Sequence, residues 1–174
     1  MTKPMFLRRA KRQFNFTMAR MLFGDKSTAP HFALVGSGSA THLCQRIVDS
    51  RHQRVLIVTD KPLRDLGLVD RACETLVKAG VDLIWYDGVQ PDPTFSQVRE
   101  GAQILREQAC TAILAVGGGS SMDAAKIIAA TLNSNDEPES WAGINKAPDT
   151  AAPLYAIPTT AGTGSEATMG AVIT

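Results

Sequence analysis

The sequence has few of the residues that support disulfide, metal or membrane chemistry. Only three cysteines and three histidines occur among its 174 residues, with no Cys-x-x-Cys pair and no Cys/His spacing typical of zinc. The odd, widely separated Cys44, Cys73 and Cys110 predict reduced, mostly buried thiols, each within a helix, in a cytoplasmic protein. No apolar run approaches the ~20 residues of a membrane helix.

A strong net charge is also lacking, and this argues against general nucleic-acid binding. The formal net charge is +1, but seven of the 18 basic residues and only one of the 17 acidic residues lie at or before Lys26. The rest of the chain is therefore mildly acidic. Nucleic-acid binding needs a basic surface on the folded body, so no nucleic-acid partner is expected.

Residues 1–30 form a basic extension with its own pattern. Apolar residues recur there at helical spacing, with Arg and Lys between them: Leu7, Ala10, Phe14, Met18 and Met21. This pattern predicts an amphipathic helix, and we favour one that packs on a partner subunit of a homo-oligomer. A membrane-surface anchor and a targeting presequence are the alternatives, although the apolar core and cleavage site of a secretory signal are missing.

Residues 31–174 read as one dinucleotide-binding domain in which strands and helices alternate. The predicted strands are short apolar runs over 32–35, 54–59, 81–86, 112–116 and 154–157. The predicted helices run from Gly38 to Val48, up to Lys78 with Gly80 as a stop, from a Thr94 cap to Gln108, and from Ser120 to Leu132. This order predicts an α/β fold with a doubly wound, mainly parallel, Rossmann-like sheet, which binds ligands at the carboxyl ends of its strands.

Two glycine-rich turns compete as a phosphate site. Gly36-Ser37-Gly38 precedes a helix, but Thr41 occupies the place of the third glycine of G-x-G-x-x-G, so a tight turn is the favoured interpretation. Gly117-Gly118-Gly119 follows a buried strand and is the stronger candidate. Three glycines let the backbone approach an anion and adopt positive φ, and the helix behind them offers free N–H groups.

Side chains around the second turn add to this interpretation. Ser120 and Ser121 contribute hydroxyl donors, while Ser120 and Asp123 are expected to pair as a capping box at the same helix start. No Gly-Lys-Ser/Thr follows, so a Walker loop is not indicated. Asp60 closes the second predicted strand, where a carboxylate can accept ribose hydroxyls and repel a 2′-phosphate, or simply cap the next turn.

Two segments together carry a family resemblance. AVGGGSSMDAAK and, about thirty residues later, the hydroxyl-rich IPTTAGTGSEAT are similar to motifs of the iron-containing (group III) alcohol dehydrogenase family. VTDKPL and YDGVQPDPT also match that family's pattern. The resemblance extends from about Phe32 to Thr174.

The resemblance implies an NAD site, with NADP disfavoured. Asp60 would accept the adenosine ribose, and Gly118, Gly119 and Ser120, with Ser121 beside them, would hold the pyrophosphate. The residues implied on the nicotinamide side are Asp123, Thr159, Thr160, Thr163, Ser165 and Thr168.

In the resembled family, one Asp and three His hold a divalent iron or zinc ion that polarises the substrate oxygen. Those ligands belong to a helical domain beyond the segment that matches here. His31, His42 and His52 are more simply surface or helix residues, so no metal-binding or catalytic residue is expected among these 174. The chain alone is expected to bind NAD weakly, to leave alcohols and aldehydes unreacted, and to self-associate through an uncovered crevice.

Two other interpretations stay open at this point. One is a glycerol-dehydrogenase-like or maleylacetate-reductase-like enzyme of the same superfamily. The other is a non-catalytic nucleotide-binding or assembly module that docks through the basic helix.

Overall fold

A computed structural model describes residues 32–143, 146–148, 151–168 and 170–174. The basic extension and its predicted helix lie outside these residues. The strands are β1 Arg54–Val58, β2 Asp82–Tyr86, β3 Ala112–Gly117 and β4 Leu154–Pro158. The α-helices are α1 Ser39–Asp49, α2 Lys61–Asp65, α3 Leu68–Lys78, α4 Phe95–Glu107 and α5 Gly119–Ala130. Short 3-10 helices span Thr131–Asn133, Pro138–Trp141 and Ser165–Ala167.

The four strands form one parallel sheet in the order β2-β1-β3-β4. Helices cover both faces. On one side, Leu56 and Val58 of β1 pack with α4 and α5, and on the other, Val55 and Ile57 pack with α1 and α3. Strands that are buried on both faces read as continuous apolar runs, so their predicted positions are confirmed. The α/β, doubly wound, Rossmann-like fold class is likewise confirmed.

Two predicted elements differ from the structure. The Phe32–Val35 run is not a strand, because no described strand pairs with it. It lies outside the sheet, and Val35 is 95% exposed. The helix predicted to end near Lys78 is two helices, separated at Gly67, whose φ of +67° no helix accommodates. Gly80 does end α3 as predicted, with φ +77°.

The cysteines are buried and free, as the sequence predicted. Cys44 and Cys73 lie on α1 and α3, whereas Cys110 lies in the connection before β3 and not in a helix. Burial raises the pKa of Cys44 to about 11 and that of Cys73 to about 12. These thiols are therefore protonated at neutral pH and poor nucleophiles.

Thr94 caps α4 in a reciprocal capping box with Gln97, which confirms the predicted helix start. In the connection that follows α5, Pro138 and Trp141 are buried. Within the described ranges, no helix has the length and apolarity to span a membrane.

Tyr86 ends β2 inside a slot that two glycines leave open. A Cβ added at Gly88 would lie 2.9 Å from Tyr86 Cε2, and one at Gly101 would lie 2.5 Å from Ile128 Cδ1 and 3.1 Å from the Tyr86 ring. The Tyr86 hydroxyl donates to the Gln97 carbonyl at 2.7 Å. The close approach of α4 to the sheet therefore depends on glycine at position 101.

We predict that Gly101→Ala lowers the free energy of unfolding, although alanine is the better helix former. Overpacking of a fixed core typically costs about 1–3 kcal/mol, against a gain of about 1 kcal/mol in helix propensity. Thermal unfolding measures the change, with Gln103→Ala on the exposed side of α4 as control. An unchanged or raised melting temperature for Gly101→Ala would contradict the claim that the packing of α4 requires glycine at position 101.

Candidate functional site

The candidate site lies where the sheet changes winding direction. From β1 the chain continues to β2 on one side, whereas from β3 it continues to β4 on the other. The carboxyl ends of β1 and β3 are thus neighbours and leave a crevice between the diverging connections, which is where open parallel sheets bind ligands. The Thr59 hydroxyl, just after β1, donates to the Val116 carbonyl of β3 at 2.7 Å and ties the two ends together.

Neighbouring side chains limit the space for Cβ atoms in the glycine turn after β3. A Cβ at Gly117 would lie 2.4 Å from Ser121 Oγ, and one at Gly118 would lie 3.1 Å from Thr160 Oγ1. A Cβ at Gly119 would contact Ser165 Oγ at 3.4 Å. None of these three glycines has positive φ, so that expectation was wrong. Hydroxyl-bearing side chains leave too little space for a Cβ at Gly117 and only tight space at Gly118, whereas a Cβ at Gly119 would make an ordinary contact.

Helix α5 begins directly behind this turn with its amino end free of a side-chain cap. Gly118 is the N-cap residue, no side-chain hydrogen bond caps the helix, and its first turn has no acidic residue. The predicted Ser120–Asp123 capping box was wrong, because Ser120 already lies inside the helix, where its side chain cannot act as an N-cap. The open N–H groups and the helix dipole favour an anion, typically by about 0.3–1 kcal/mol per charge.

The two serines of this turn have different settings. Ser120 is half-buried at the helix start, whereas Ser121 is buried beneath Gly117. The structure therefore gives Ser121 a packing contact with the turn. Its assignment to the cofactor site stays a prediction.

Asp60 lies two residues after the end of β1, and its two carboxylate oxygens have different surroundings. One oxygen accepts the Leu63 N–H at 2.9 Å and caps α2, which confirms the simpler of its two interpretations. The other, Oδ2, lies 3.7 Å from the position that a Cβ of Gly117 would take. The carboxylate therefore borders both the crevice and the glycine turn, and capping leaves Oδ2 available for a second role.

The hydroxyl-rich loop that follows β4 closes the opposite side of the crevice. Thr159 N donates to the Gly117 carbonyl at 2.9 Å, which continues the β3–β4 pairing into the loop. From this loop, Thr160 lies beside Gly118, and Thr163 and Ser165 lie beside Gly119. The structure thus brings this loop beside Gly118 and Gly119, as expected if both line one crevice.

Asp123 and Thr168, the remaining predicted site residues, contact a lysine that sequence reasoning missed. Lys126 Nζ donates to Asp123 Oδ1 at 3.1 Å and to Thr168 Oγ1 at 3.1 Å. Asp123 Oδ2 accepts the Val172 N–H at 3.0 Å. The lysine was visible in the sequence only as the last letter of a motif, because its contact with Thr168 joins residues that are 42 positions apart.

The rival turn and the histidines lie in different settings. Gly36-Ser37-Gly38 is exposed and follows no strand, so it lacks the strand–turn–helix context of a dinucleotide fingerprint. His52 is placed between Thr111 Oγ1 and the Tyr155 hydroxyl, and burial lowers its pKa. Within the part of the chain that the structure describes, no three His, Cys, Asp or Glu side chains are grouped to hold a metal ion.

Comparisons with known proteins show the family of the chain. The family model described as iron-containing alcohol dehydrogenase matches residues 30–174. NAD-dependent methanol dehydrogenase of Bacillus methanolicus is 36% identical over 145 residues, which are 83% of this chain and 38% of that protein. The chain spans little more than a third of the length of the curated relatives it matches.

Solved structures share the fold. Alcohol dehydrogenase from Oenococcus oeni is similar with a TM-score of 0.74 and 33% identity, over 79% of this chain and 36% of that chain. Sulfoacetaldehyde reductase from Bifidobacterium kashiwanohense, solved in complex with NAD+, has a TM-score of 0.68 and 28% identity, over 80% of this chain and 39% of that chain.

We predict that Gly118→Val weakens ADP binding at least about tenfold, or ~1.4 kcal/mol, because its side chain would fill the space between the α5 amino end and Thr160. Calorimetry measures the affinity, and thermal unfolding verifies that the variant folds. Ser37→Val, in the rival turn, is the matched control and should leave ADP affinity unchanged. Weaker ADP binding by Ser37→Val, with the affinity of Gly118→Val unchanged, would indicate that the phosphate site is at Gly36–Gly38.

Proposed function

This chain belongs to the iron-containing alcohol dehydrogenase family, and we propose that it is the NAD-binding domain of a metal-dependent alcohol dehydrogenase. In that reaction, hydride passes between the carbon of a small alcohol or aldehyde and the nicotinamide of NAD. The observation that carries the proposal is the uncapped amino end of α5, placed behind three closely packed glycines at the switch point of the sheet.

The pyrophosphate would bind at Gly118, Gly119 and Ser120. The first-turn N–H groups of α5 donate to phosphate oxygens without competition from a side-chain cap. Because neither Gly118 nor Gly119 carries a Cβ, the backbone would approach the ligand closely beside the Thr160 and Ser165 hydroxyls. Phosphate binding thus uses groups that the fold otherwise leaves unpaired.

Asp60 would bind the adenosine ribose. Its Oδ1 is occupied by the Leu63 N–H, so Oδ2 is the oxygen that remains for a ribose hydroxyl. A carboxylate at this place repels a 2′-phosphate, and the proposal therefore prefers NAD to NADP. The methanol dehydrogenase relative is NAD-dependent by name, which agrees with this preference.

The nicotinamide side would be lined by the loop after β4. Thr159, Thr160, Thr163 and Ser165 offer hydroxyls beside the glycine turn, with Thr168 at the loop end. Both Asp123 oxygens already have partners within the protein, so its contribution is to position this region. Hydroxyls at this place would orient the nicotinamide for hydride transfer.

The proposed reaction also needs a metal ion and a substrate. A bound iron or zinc ion would supply Lewis-acid polarisation of the substrate oxygen. Among the described residues, no cluster of donors fits such an ion. The free thiols agree with a reducing, cytoplasmic setting, and a homo-oligomer is the proposed assembly.

We predict that the wild-type chain binds NADH at least about tenfold more tightly than NADPH. The Asp60→Asn substitution should improve NADPH binding and so reduce the ratio of the two affinities. Asparagine retains an oxygen to cap α2 but removes the charge that repels the 2′-phosphate. Calorimetry with both cofactors measures the ratio. Asp65→Asn, an exposed charge on the same helix, is the control. Equal wild-type affinities for the two cofactors would contradict the role of Asp60.

A polypeptide of these 174 residues, supplied with NAD and Fe²⁺ or Zn²⁺, is predicted to bind the cofactor without oxidising ethanol or propanediol. The reason is that its described part brings no metal-ligand cluster to the crevice. Absorbance at 340 nm, where NADH absorbs, follows the reaction. Steady, metal-dependent NADH formation by this polypeptide would contradict the prediction.

A further inference from the structure

Lys126 lies on α5, about two turns beyond the glycine turn, and its ammonium group has three partners. Besides Asp123 Oδ1 and Thr168 Oγ1, Lys126 Nζ donates to the Gly170 carbonyl at 2.6 Å. An ammonium has three N–H donors, so each is accounted for. Two of these partners, Thr168 and Gly170, lie at or just beyond the end of the hydroxyl-rich loop.

The ion pair at the centre of this cluster is largely shielded from water. Only 15% of the Lys126 side chain and 13% of the Asp123 side chain are exposed. A shielded and fully hydrogen-bonded pair has a more defined geometry than a surface pair, whose net contribution is small. Asp123 extends the cluster to the Val172 N–H, so one helix surface holds residues 168, 170 and 172.

The hydroxyl-rich loop, residues 159–168, is therefore fixed at both ends to the same β3–α5 unit. Thr159 N donates to the Gly117 carbonyl at its start, and Lys126 holds Thr168 at its end. Between these points the loop is mostly exposed, with positive φ at Gly162 and Gly164. Its position over the glycine turn depends on the two anchors more than on buried side chains.

We propose that Lys126 is a positioning residue for the dinucleotide site: through Asp123, Thr168 and Gly170 it holds the 159–168 loop closed on the glycine turn. This inference rests on the proposed function. It predicts that Lys126 acts on the nicotinamide half of the ligand through the loop. The adenosine and pyrophosphate half, which contacts Asp60 and the glycine turn, does not depend on it.

A purely structural role for Lys126 gives a different expectation. Residues 172–174 are also held by Thr174 N, which donates to the Pro93 carbonyl at 2.9 Å, and by Phe95 N, which donates to the Thr174 carbonyl at 3.2 Å. If Lys126 only fixed this segment, its loss would lower the melting temperature without changing the relative affinity for different nucleotides. Ligand pairs that differ in the nicotinamide group separate the two roles.

The test compares NADH with ADP-ribose, which lacks the nicotinamide, by calorimetry on wild-type chain and on Lys126→Met. If Lys126→Met reduces the fraction of molecules with a closed loop to about a tenth, the Kd for NADH rises about tenfold. The Kd for ADP-ribose should stay within about twofold of wild type under the same argument. Lys78→Met, an exposed lysine paired with Glu74 on α3, is the matched control and should change neither value.

A second variant keeps the proposal testable if Lys126→Met does not fold. Val172→Pro removes the N–H that Asp123 accepts, while Val172→Ala retains it, and the Val172 side chain is exposed. We expect weaker NADH binding, with ADP-ribose unaffected, for the proline variant alone.

The outcomes are distinct. Unchanged NADH affinity in folded Lys126→Met, or equal losses for NADH and ADP-ribose, would overturn the positioning role and leave the proposed function standing. Failure of wild-type chain to bind either ligand would overturn the proposed function, and the positioning role with it.

Discussion

Close packing around Gly117, Gly118 and Gly119 is the constraint on which the crevice depends. These residues connect β3 to α5 at a place where Ser121 leaves no room for a Cβ at Gly117 and Thr160 leaves little room for one at Gly118. Because the turn is this tight, α5 starts immediately behind the strand and points its free N–H groups at the switch point. A bulkier turn would separate the helix end, the end of β1 and the hydroxyl-rich loop.

This constraint connects the fold to the proposed chemistry. The sheet order places Asp60 beside the glycine turn, and Thr59 bonds the two strand ends together. The α5 amino end can donate to an anion and the Asp60 carboxylate can accept from a hydroxyl, which suits a dinucleotide with phosphates flanked by sugars. Within the described residues, no group of His, Cys, Asp or Glu side chains is placed to hold a metal ion.

The sequence was most informative where structure is local or fully buried. The runs at 54–58 and 112–116 predicted strands correctly, because a strand covered on both faces must be apolar throughout. Phe32–Val35 looks the same in sequence but has no described partner strand, since pairing is a tertiary property. The break at Gly67 and the start of α5 at Gly119 depend on backbone geometry that composition does not specify. Lys126 was missed because two of its three partners, Thr168 and Gly170, lie 42 and 44 residues along the chain.

The central claim is that the amino end of α5 binds the pyrophosphate of NAD. Nuclear magnetic resonance of ¹⁵N-labelled chain titrated with NADH tests it most directly, because each backbone N–H reports on its own surroundings. The account predicts the largest amide shifts at Gly118, Gly119 and Ser120, with smaller shifts at Asp60 and Thr160. Large shifts confined to Gly36–Gly38, with the α5 amides unmoved, would contradict it.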